Sequence, residues 1–402
     1  MRIVSILAVA ALLATGTAPI QAAYNGPKDI KIVSSLPRTG SAKAQTDTIV
    51  NGITMALEEA GWKAGEFTIK YEDLDDATAA EGKWTAEKEA ANAEQAIKDP
   101  DVMVYIGTYN SGAAKVAIPK LNKENLVMIS PANTWPGLTK PGKGEAGEPE
   151  KYYPNGARNY TRVVPADDMQ GPVGADWAKK LGVKKVFIID DREVYGKGIA
   201  DLFQARAEEI GLKISGREGI DASQQEFKAL MVKVKAAEPD MVYFGGTTQT
   251  KAGQIAKDMV GAGCTCKFMV PDGCFEDAFI DAAGADNLND RCYVTFGGLP
   301  PEKLAGKGKE FVDKYKAKHG KMPEGYAVYG YEAGKVALDA IKRAGKKDRN
   351  AIREAVLATK KFDGALGKWS FDKNGDTTLK TMSGQIVKGG KFEFATLLGE
   401  ED

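Results

Sequence analysis

The sequence predicts an α/β protein with two doubly wound lobes of parallel sheet. From Lys28 onward, short apolar runs of strand type alternate with longer amphipathic runs of helix type, which is typical of parallel strands covered by helices on both faces. The number of predicted strands exceeds what one sheet comfortably holds. Periodicity is lost in the proline- and glycine-rich residues 141–159, and a second strand–helix series begins at Arg162.

Each predicted strand is a short buried-type run of aliphatic, β-branched or aromatic residues. The predicted strands are Ile30–Ser34, Phe67–Tyr71, Val102–Ile106, Val127–Ile129, Val186–Ile189, Met241–Phe244, Phe268–Val270 and Tyr293–Phe296. Each predicted helix is a longer segment with amphipathic periodicity. The predicted helices are Thr46–Glu59, Lys83–Lys98, Ser111–Glu124, Pro172–Lys180, Gly198–Ile210, Gln225–Ala237, Thr250–Met259, Gly306–His319, Tyr326–Ala344 and Arg349–Thr359.

Residues 1–22 have the pattern of an export signal. Arg2 precedes an apolar stretch that ends at Ala14, and the small residue Ala22 suits a signal peptidase, so we expect cleavage before Ala23. The apolar stretch is too short to span a bilayer, and no later segment is long and apolar enough to be a transmembrane helix. We therefore expect an exported protein.

Composition and charge exclude several classes of function. With 55 basic and 55 acidic residues, the chain lacks the basic excess of a nucleic-acid-binding protein. The single histidine, His319, leaves little machinery for hydrolytic chemistry or for a histidine-rich metal site. Gly142, Gly144 and Gly147 match a dinucleotide-binding pattern but lack the flanking strand and helix that such a site requires. We expect a protein that is not an enzyme and has no metal and no cofactor.

The four cysteines lie in one region of the chain, at Cys264, Cys266, Cys274 and Cys292. In an exported protein a disulfide is favoured over a metal site. An extended strand at 268–270 holds Cys266 and Cys274 too far apart to bridge. We therefore expect Cys292 to pair with Cys264 or with Cys266, with Cys274 at the other end of the strand near any ligand cleft. A zinc cluster at the C-x-C motif is the alternative.

Polar residues follow two neighbouring predicted strands at the point where each strand ends. Val102–Ile106 leads into Gly107–Gly112, and Val127–Ile129 leads into Ser130–Thr134. The carboxyl ends of parallel strands meet at one edge of a sheet, so their free N–H groups and hydroxyls can hold a small carboxylate there. Asp272 also follows a buried-type strand, where an acid is either a turn or helix-capping residue or a partner for a ligand ammonium group.

Several segments, in their order and spacing, resemble one family of exported proteins. These segments are Ile30–Ser34, Asn51–Leu57, Tyr105–Gly107, Met128–Thr134, Gln170–Pro172, Asp191–Gly198, Asp240–Gly246 and Phe362–Gly364. They resemble the type I periplasmic solute-binding proteins of the leucine/isoleucine/valine-binding family, which are the receptor components of ABC importers. The resemblance covers essentially the whole chain after the signal segment.

The resemblance implies two α/β lobes that close on a ligand about a hinge of three crossing strands, near Pro165, Gly297 and Gly367. It implies a first lobe of residues 23–165 and 298–366, and a second lobe of residues 166–297 and 367–402. It also implies a periplasmic monomer that delivers its ligand to membrane permease subunits.

The resemblance also implies how a ligand is held. Ser111, the backbone at Ala132, and Thr134 match the positions that bind an amino acid's carboxylate and share its ammonium group. Asp272 matches the acidic partner of that ammonium. Neutral donors suffice for a carboxylate, whereas a desolvated ammonium requires a counter-charge.

Five further positions match the wall of the family's pocket. Tyr109, Tyr195 and Tyr326 match residues that pack on the ligand side chain. Gln45 stands where an aromatic residue is expected and Thr247 where a tyrosine is expected, so the pocket is more polar or larger than a branched-chain site. We expect an α-amino acid or a related amine-bearing carboxylate as the ligand. The alternatives are an aromatic or amide-type solute, and an exported sensory module.

Overall fold

The computed structural model describes residues 24–399, and within that range the strands form two large sheets covered by helices. The predicted signal segment and its cleavage site lie outside the described residues. The first sheet consists of β1 Asp29–Leu36, β2 Lys63–Ala64, β3 Phe67–Asp75, β4 Val102–Gly107, β5 Val127–Ser130 and β6 Tyr160–Arg162. Its strand order is β2-β3-β1-β4-β5-β6, and only the short edge strand β2 is antiparallel to its neighbour.

The second sheet repeats the strand order of the first. Its parallel strands are β7 Lys185–Asp190, β8 Lys213–Gly219, β9 Met241–Gly245, β10 Lys267–Val270 and β11 Cys292–Gly297. They are ordered β8-β7-β9-β10-β11, as β3-β1-β4-β5-β6 are in the first sheet. In such sheets ligands bind beyond the carboxyl ends of the strands, where the order reverses. The two reversals, between β1 and β4 and between β7 and β9, therefore mark where a ligand site is expected.

Later strands make the architecture mixed rather than purely parallel. A hairpin of β12 Phe362–Gly364 and β13 Gly367–Trp369 is followed by β14 Met382–Lys388 and β15 Lys391–Leu398. The last two strands join the second sheet antiparallel to β11 and to each other. Doubly wound α/β architecture is confirmed, and the expectation of all-parallel sheets is corrected at these edges.

Helices connect the strands and cover the faces of both sheets. They are α1 Lys43–Glu59, α2 Ala86–Lys98, α3 Ser111–Lys123, α4 Asp167–Lys180, α5 Val194–Glu209, α6 Lys228–Ala236, α7 Ala252–Gly261, α8 Asp277–Ala283, α9 Lys307–His319, α10 Ala327–Ala344 and α11 Arg349–Leu357. Every predicted strand and helix is present, with ends shifted by a few residues. Among residues 24–399, no helix is long and apolar enough to cross a membrane.

Chain segments that cross between the sheets lie side by side. A side chain at Gly297 would contact Pro165, since an added Cβ would lie 3.4 Å from the proline ring. Met382 pairs with Gly297, and the Ser383 hydroxyl donates to the carbonyl of Gly298 at 2.6 Å. This arrangement supports a three-strand hinge, which remains a prediction together with the lobe boundaries.

The third crossing is better placed after residue 377 than near Gly367. Trp369 donates to Glu332 in α10 at 2.6 Å, and Thr377 N donates to the carbonyl of Arg162 in the first sheet at 3.1 Å. Residues 367–377 therefore pack on the first sheet. We propose that the chain returns to the second lobe between Thr377 and β14.

The predicted disulfide is absent, because all four cysteines are free thiols. Cys292 lies opposite Phe268 in the parallel ladder, two positions beyond Cys266. Two residues along a strand span ~6.6 Å and neighbouring strands lie ~4.8 Å apart, so the Cα atoms of Cys266 and Cys292 are ~8 Å apart, too far for a bridge. Arg291 donates to the carbonyls of Cys264 and Cys266 and holds the loop in place. Pairing Cys292 with Cys264 is likewise not seen.

Candidate functional site

A small cavity lies between the two lobes at the carboxyl ends of the central strands. We call it the inner cavity, and it is lined by Tyr109, Asn110, Ser111, Ala132, Tyr195, Thr247, Asp272, Gly273 and Tyr326. Its volume is about 20 Å³, enough for about one water molecule. Seven of the nine predicted site residues line it. A ligand larger than water therefore requires the two walls to move apart.

The wall from the first lobe is a rigid polar loop beside a helix N-terminus. Asn133 is fully buried, and its amide donates to the carbonyls of Thr108 at 2.8 Å and Tyr109 at 2.9 Å. The Ser130 hydroxyl accepts from the N–H of Ala132 at 3.2 Å. Ser111 is the first residue of α3, whose N-cap makes no side-chain hydrogen bond. The N–H groups in this first turn favour an anion.

The wall from the second lobe centres on Asp272, which is 2% exposed. Its carboxylate accepts from the amide of Gln170 at 2.6 Å, from the hydroxyl of Tyr195 at 2.5 Å and from the hydroxyl of Tyr326. Gly273 is required beside it, because an added Cβ would lie 2.8 Å from Thr247. Asp272 is thus a buried acceptor held by three neutral donors from three different elements.

A second buried carboxyl, Asp167 at the start of α4, lies near Asp272. Both of its oxygens lack a hydrogen-bond partner among residues 24–399. Burial raises the pKa of Asp272, and burial followed by the charge of Asp272 raises the pKa of Asp167 well above its usual value. Two buried carboxyls this close do not ionise independently. A ligand cation here would favour the ionised form of both.

Two predicted site residues, Thr134 and Gln45, do not line the inner cavity but lie close behind its wall. Thr134 is buried, and its hydroxyl lacks a partner among the described residues. Gln45 accepts from the hydroxyl of Tyr109, and its amide donates to the carbonyl of Phe275 at 3.3 Å. Gln45 therefore connects the two lobes behind the tyrosine rather than forming an open wall.

Sequence reasoning missed four residues at or beside the cavity. They are Asn110, Gly273, Asp167 and Gln170. Asn110 and Gly273 are each adjacent in sequence to a predicted site residue, and that adjacency could have indicated them. Asp167 and Gln170 belong to the first turns of α4, and only the fold brings them near Asp272. No cluster of three or more potential metal ligands occurs within residues 24–399.

Contacts across the cleft hold the two lobes together around the cavity. Lys83 forms an ion pair with Glu193 at 2.9 Å, between the first lobe and the start of α5. Trp135 packs on α5 at Gly198, where an added Cβ would lie 2.4 Å from the indole ring. Such contacts form only when the walls are close, so the structure represents a closed arrangement.

Buried acids also lie along the interface between the lobes. Burial raises the pKa of Glu276 to about 8, and the charge of Glu324 adds to this shift. Burial also raises the pKa of Glu324 to about 7 and that of Asp191 to about 7. These carboxyls hold protons in the folded protein at a pH where the unfolded chain has released them.

The free energy of unfolding should therefore fall as pH rises from about 4.5 to about 8. Glu59 and Glu148, whose pKa values are lowered to about 2, affect stability only below this window. We expect the unfolding free energy to be at least ~2 kcal/mol lower near pH 9 than near pH 5.5, measured by urea denaturation. Glu276→Gln should flatten the profile, whereas Glu302→Gln, at an exposed glutamate nearby, should not. A free energy of unfolding that rises with pH would contradict the inference that these buried acids hold protons in the folded protein.

Comparison with known proteins gives a consistent result. The family described as "Periplasmic binding protein" matches residues 29–391. A protein from Pseudomonas aeruginosa described as "Amino acid binding protein" is 29% identical, and the alignment covers 87% of each chain.

Solved structures of the same kind share the fold. A leucine binding protein from Thermotoga maritima superimposes with a TM-score of 0.81 at 28% identity, covering 92% of this chain and 98% of the other. A branched-chain amino acid transporter substrate-binding protein from Streptococcus pneumoniae, solved in complex with isoleucine, superimposes with a TM-score of 0.79 at 25% identity. That alignment covers 92% of this chain and 99% of the other.

Proposed function

Because the chain belongs to the periplasmic binding protein family, we propose that it is the solute receptor of an ABC importer. Its ligand is an α-amino acid or a related amine-bearing carboxylate, enclosed between the two lobes. The observation that carries this proposal is the pairing, across one cavity, of a helix N-terminus with a buried acid. Ser111 opens α3 on one wall, and Asp272 lies on the other.

The two walls suit the two charged groups of an α-amino acid. The carboxylate is placed at Ser111, Ala132 and Thr134, where the first-turn N–H groups of α3 and the free Thr134 hydroxyl supply donors. The ammonium group is placed at Asp272, with Asp167 behind it. Tyr109, Tyr195, Tyr326 and Thr247 pack on the ligand side chain.

Binding in this proposal involves no chemistry. The ligand enters an open form, and closing brings the Lys83–Glu193 ion pair and the Trp135 contact together. The closed monomer, exported to the periplasm after cleavage before Ala23, then docks on permease subunits in the membrane. Gln45 stands where an aromatic residue is expected and accepts a hydrogen bond from the Tyr109 hydroxyl, so the pocket floor is polar.

Calorimetry of the mature protein against the twenty amino acids and their deaminated analogues tests the proposal. We expect at least one amino acid to bind with Kd below about 10 μM and its deaminated analogue to bind at least about 100-fold more weakly, since the analogue leaves Asp272 without a counter-charge. Equal affinity for the two would contradict the role of Asp272. Turnover of a bound solute would contradict a receptor without catalysis.

A second candidate is a receptor for an aromatic or amide-type solute. It is favoured by one observation, namely that Asp272 is already held by three neutral donors. In that case Asp272 bonds a hydroxyl or amide, and aromatic acids bind without an amine. The same calorimetry separates the two candidates, and co-purification with permease subunits separates transport from a sensory role.

A further inference from the structure

Glu276 lies where the two lobes meet, behind the wall of the inner cavity. It directly precedes α8 of the second lobe. Its neighbour Phe275 accepts, through the backbone carbonyl, a hydrogen bond from the Gln45 amide of α1 at 3.3 Å. The Phe275 ring also packs on Gly325, where an added Cβ would lie 2.7 Å from it. Residues of the first lobe therefore cover this part of the second lobe.

A second acid, Glu324, reaches the same boundary from the first lobe. It comes just before α10, and α10 packs closely on α1, since an added Cβ at Gly330 would lie 2.2 Å from the carbonyl oxygen of Ile49. Glu276 and Glu324 line one cleft between the lobes, with a volume of about 310 Å³. The two acids belong to different lobes, so they lie close together only when the lobes do.

The Glu276 carboxyl is buried without compensation. Its side chain is 2% exposed, and neither carboxyl oxygen has a hydrogen-bond partner among residues 24–399. It also forms no ion pair with any described residue. An ionised carboxylate in such a position is very costly, whereas the neutral acid is tolerated. The closed protein therefore holds Glu276 in its protonated form.

The groups that act on Glu276 agree with this assignment. Burial has the largest influence and raises the pKa of Glu276 to about 8, and the charges of Glu324 and Asp277 act in the same direction. The Thr248 hydroxyl and the Gln45 N–H act to lower the pKa, but neither forms a hydrogen bond with the carboxyl. The neighbouring charges therefore add to the effect of burial.

The other titratable groups nearby supply no buried counter-charge. Those that face Glu276 or line the same cleft are Tyr109 after β4, Cys274, Glu302 and Lys391 in β15. Burial, followed by the charge of Glu276, raises the pKa of both Tyr109 and Cys274, so both are neutral near pH 7. Lys391 is exposed, so water screens its charge.

We propose that closing of the lobes takes up one proton from solvent at Glu276, so that the protein holds its solute more tightly at acidic than at alkaline pH. When the lobes separate, Glu276 loses its first-lobe cover and returns to the acidity of an exposed glutamate. The closed form thus binds one proton more than the open form, and raising the pH favours the open form. The proposal rests on the proposed function, because it concerns closing on a solute.

Titration calorimetry at two pH values tests this inference. The probe is whichever of the twenty amino acids and benzoate binds most tightly, and the variant is Glu276→Gln, whose amide is neutral at every pH. From near pH 5.5 to near pH 8.5, the wild-type Kd should rise about tenfold or more beyond any rise in the variant. Near pH 8.5 the variant should bind at least as tightly as the wild type, which a merely structural role for Glu276 would not produce.

Proton uptake on binding is the second readout. Calorimetry in buffers that differ in heat of ionisation gives the number of protons taken up, and near pH 7 the wild type should take up about one proton more than Glu276→Gln. Glu302→Gln is the matched control, because Glu302 lines the same cleft and is exposed. It should match the wild type in both measurements.

If a probe binds and Glu276→Gln shows the wild-type pH dependence and proton uptake, the inference is wrong and the proposed function stands. Binding that is weakened by the same factor at both pH values would give Glu276 a structural role and would also overturn the inference. Should Glu276→Gln not fold, Glu324→Gln replaces it, and it should take up fewer protons than the wild type. If no probe binds, the proposed function is wrong and the inference falls with it.

Discussion

Replacing Asp272 with asparagine should weaken binding of an α-amino acid by about 100-fold or more. The substitution keeps the size of the side chain but removes the charge that a desolvated ammonium requires, and losing one partner of a buried charged pair costs about 2–5 kcal/mol. The new amide N–H₂ would also face the donors Gln170, Tyr195 and Tyr326, which now converge on the carboxylate. Titration calorimetry of the purified variant measures the effect.

The control for Asp272→Asn is Glu332→Gln. Glu332 is equally buried, and its carboxylate accepts from Trp369 at 2.6 Å and from the N–H of Ala365 at 2.9 Å, but it does not line the cavity. The Glu332→Gln variant should bind the ligand with a Kd within about threefold of that of the wild type. Urea denaturation of both variants shows whether lost binding reflects lost folding. An Asp272→Asn protein that is folded and binds as wild type does would remove Asp272 from the site.

Replacing Arg162 with methionine should produce the largest loss of stability, about 3–5 kcal/mol in the free energy of unfolding. Arg162 at the end of β6 is fully buried, and its Nε donates to Asp376 at 2.6 Å. Its removal leaves the buried carboxylate of Asp376 with one more distant ion-pair partner, Lys140 at 3.8 Å. Its Nη1 also donates to the carbonyls of Asn133 at 3.2 Å and Trp135 at 2.8 Å, on either side of Thr134. The variant should therefore also bind ligand more weakly.

Two further variants test the explanation for Arg162. Arg206→Met removes an arginine that pairs with Asp176 at 2.9 Å while both side chains are about one third exposed, and it should cost less than ~1 kcal/mol. Combining Arg162→Met with Asp376→Leu removes both buried charges and should restore much of the lost stability. If Arg162→Met costs no more than Arg206→Met in urea denaturation, the buried pair does not have the structural role assigned here.

Strands buried on both faces were easy to predict, and edge strands were not. The run Val102–Ile106 is apolar at almost every position, as a central parallel strand requires, and the structure has β4 there with every residue buried. Lys213–Gly219 contains two glycines and four polar side chains, and it forms β8 at the sheet edge with no residue fully buried. The extended structure of β8 therefore depends on its hydrogen-bonded pairing with β7, because its own sequence lacks an apolar strand pattern.

The predicted disulfide failed for a related reason. Position in the sequence correctly placed Cys292 at the start of β11, at the same end of the sheet as Cys266. The register of β10 with β11, which pairs Phe268 with Cys292, sets the distance between them. Register depends on side-chain packing across the sheet and on the connecting loops, so spacing along the chain does not fix it.

The sequence by itself determined the α/β class, the order of its main strands and helices, and the residues at the ends of its central strands. These follow from local periodicity and turn chemistry, which act over a few residues. Only the tertiary structure decided that Asp167 and Gln170 lie beside Asp272 and that Gln45 bonds Tyr109. The physical reason is that these groups come from separate elements, and burial and hydrogen bonding between them arise only when the two lobes pack together.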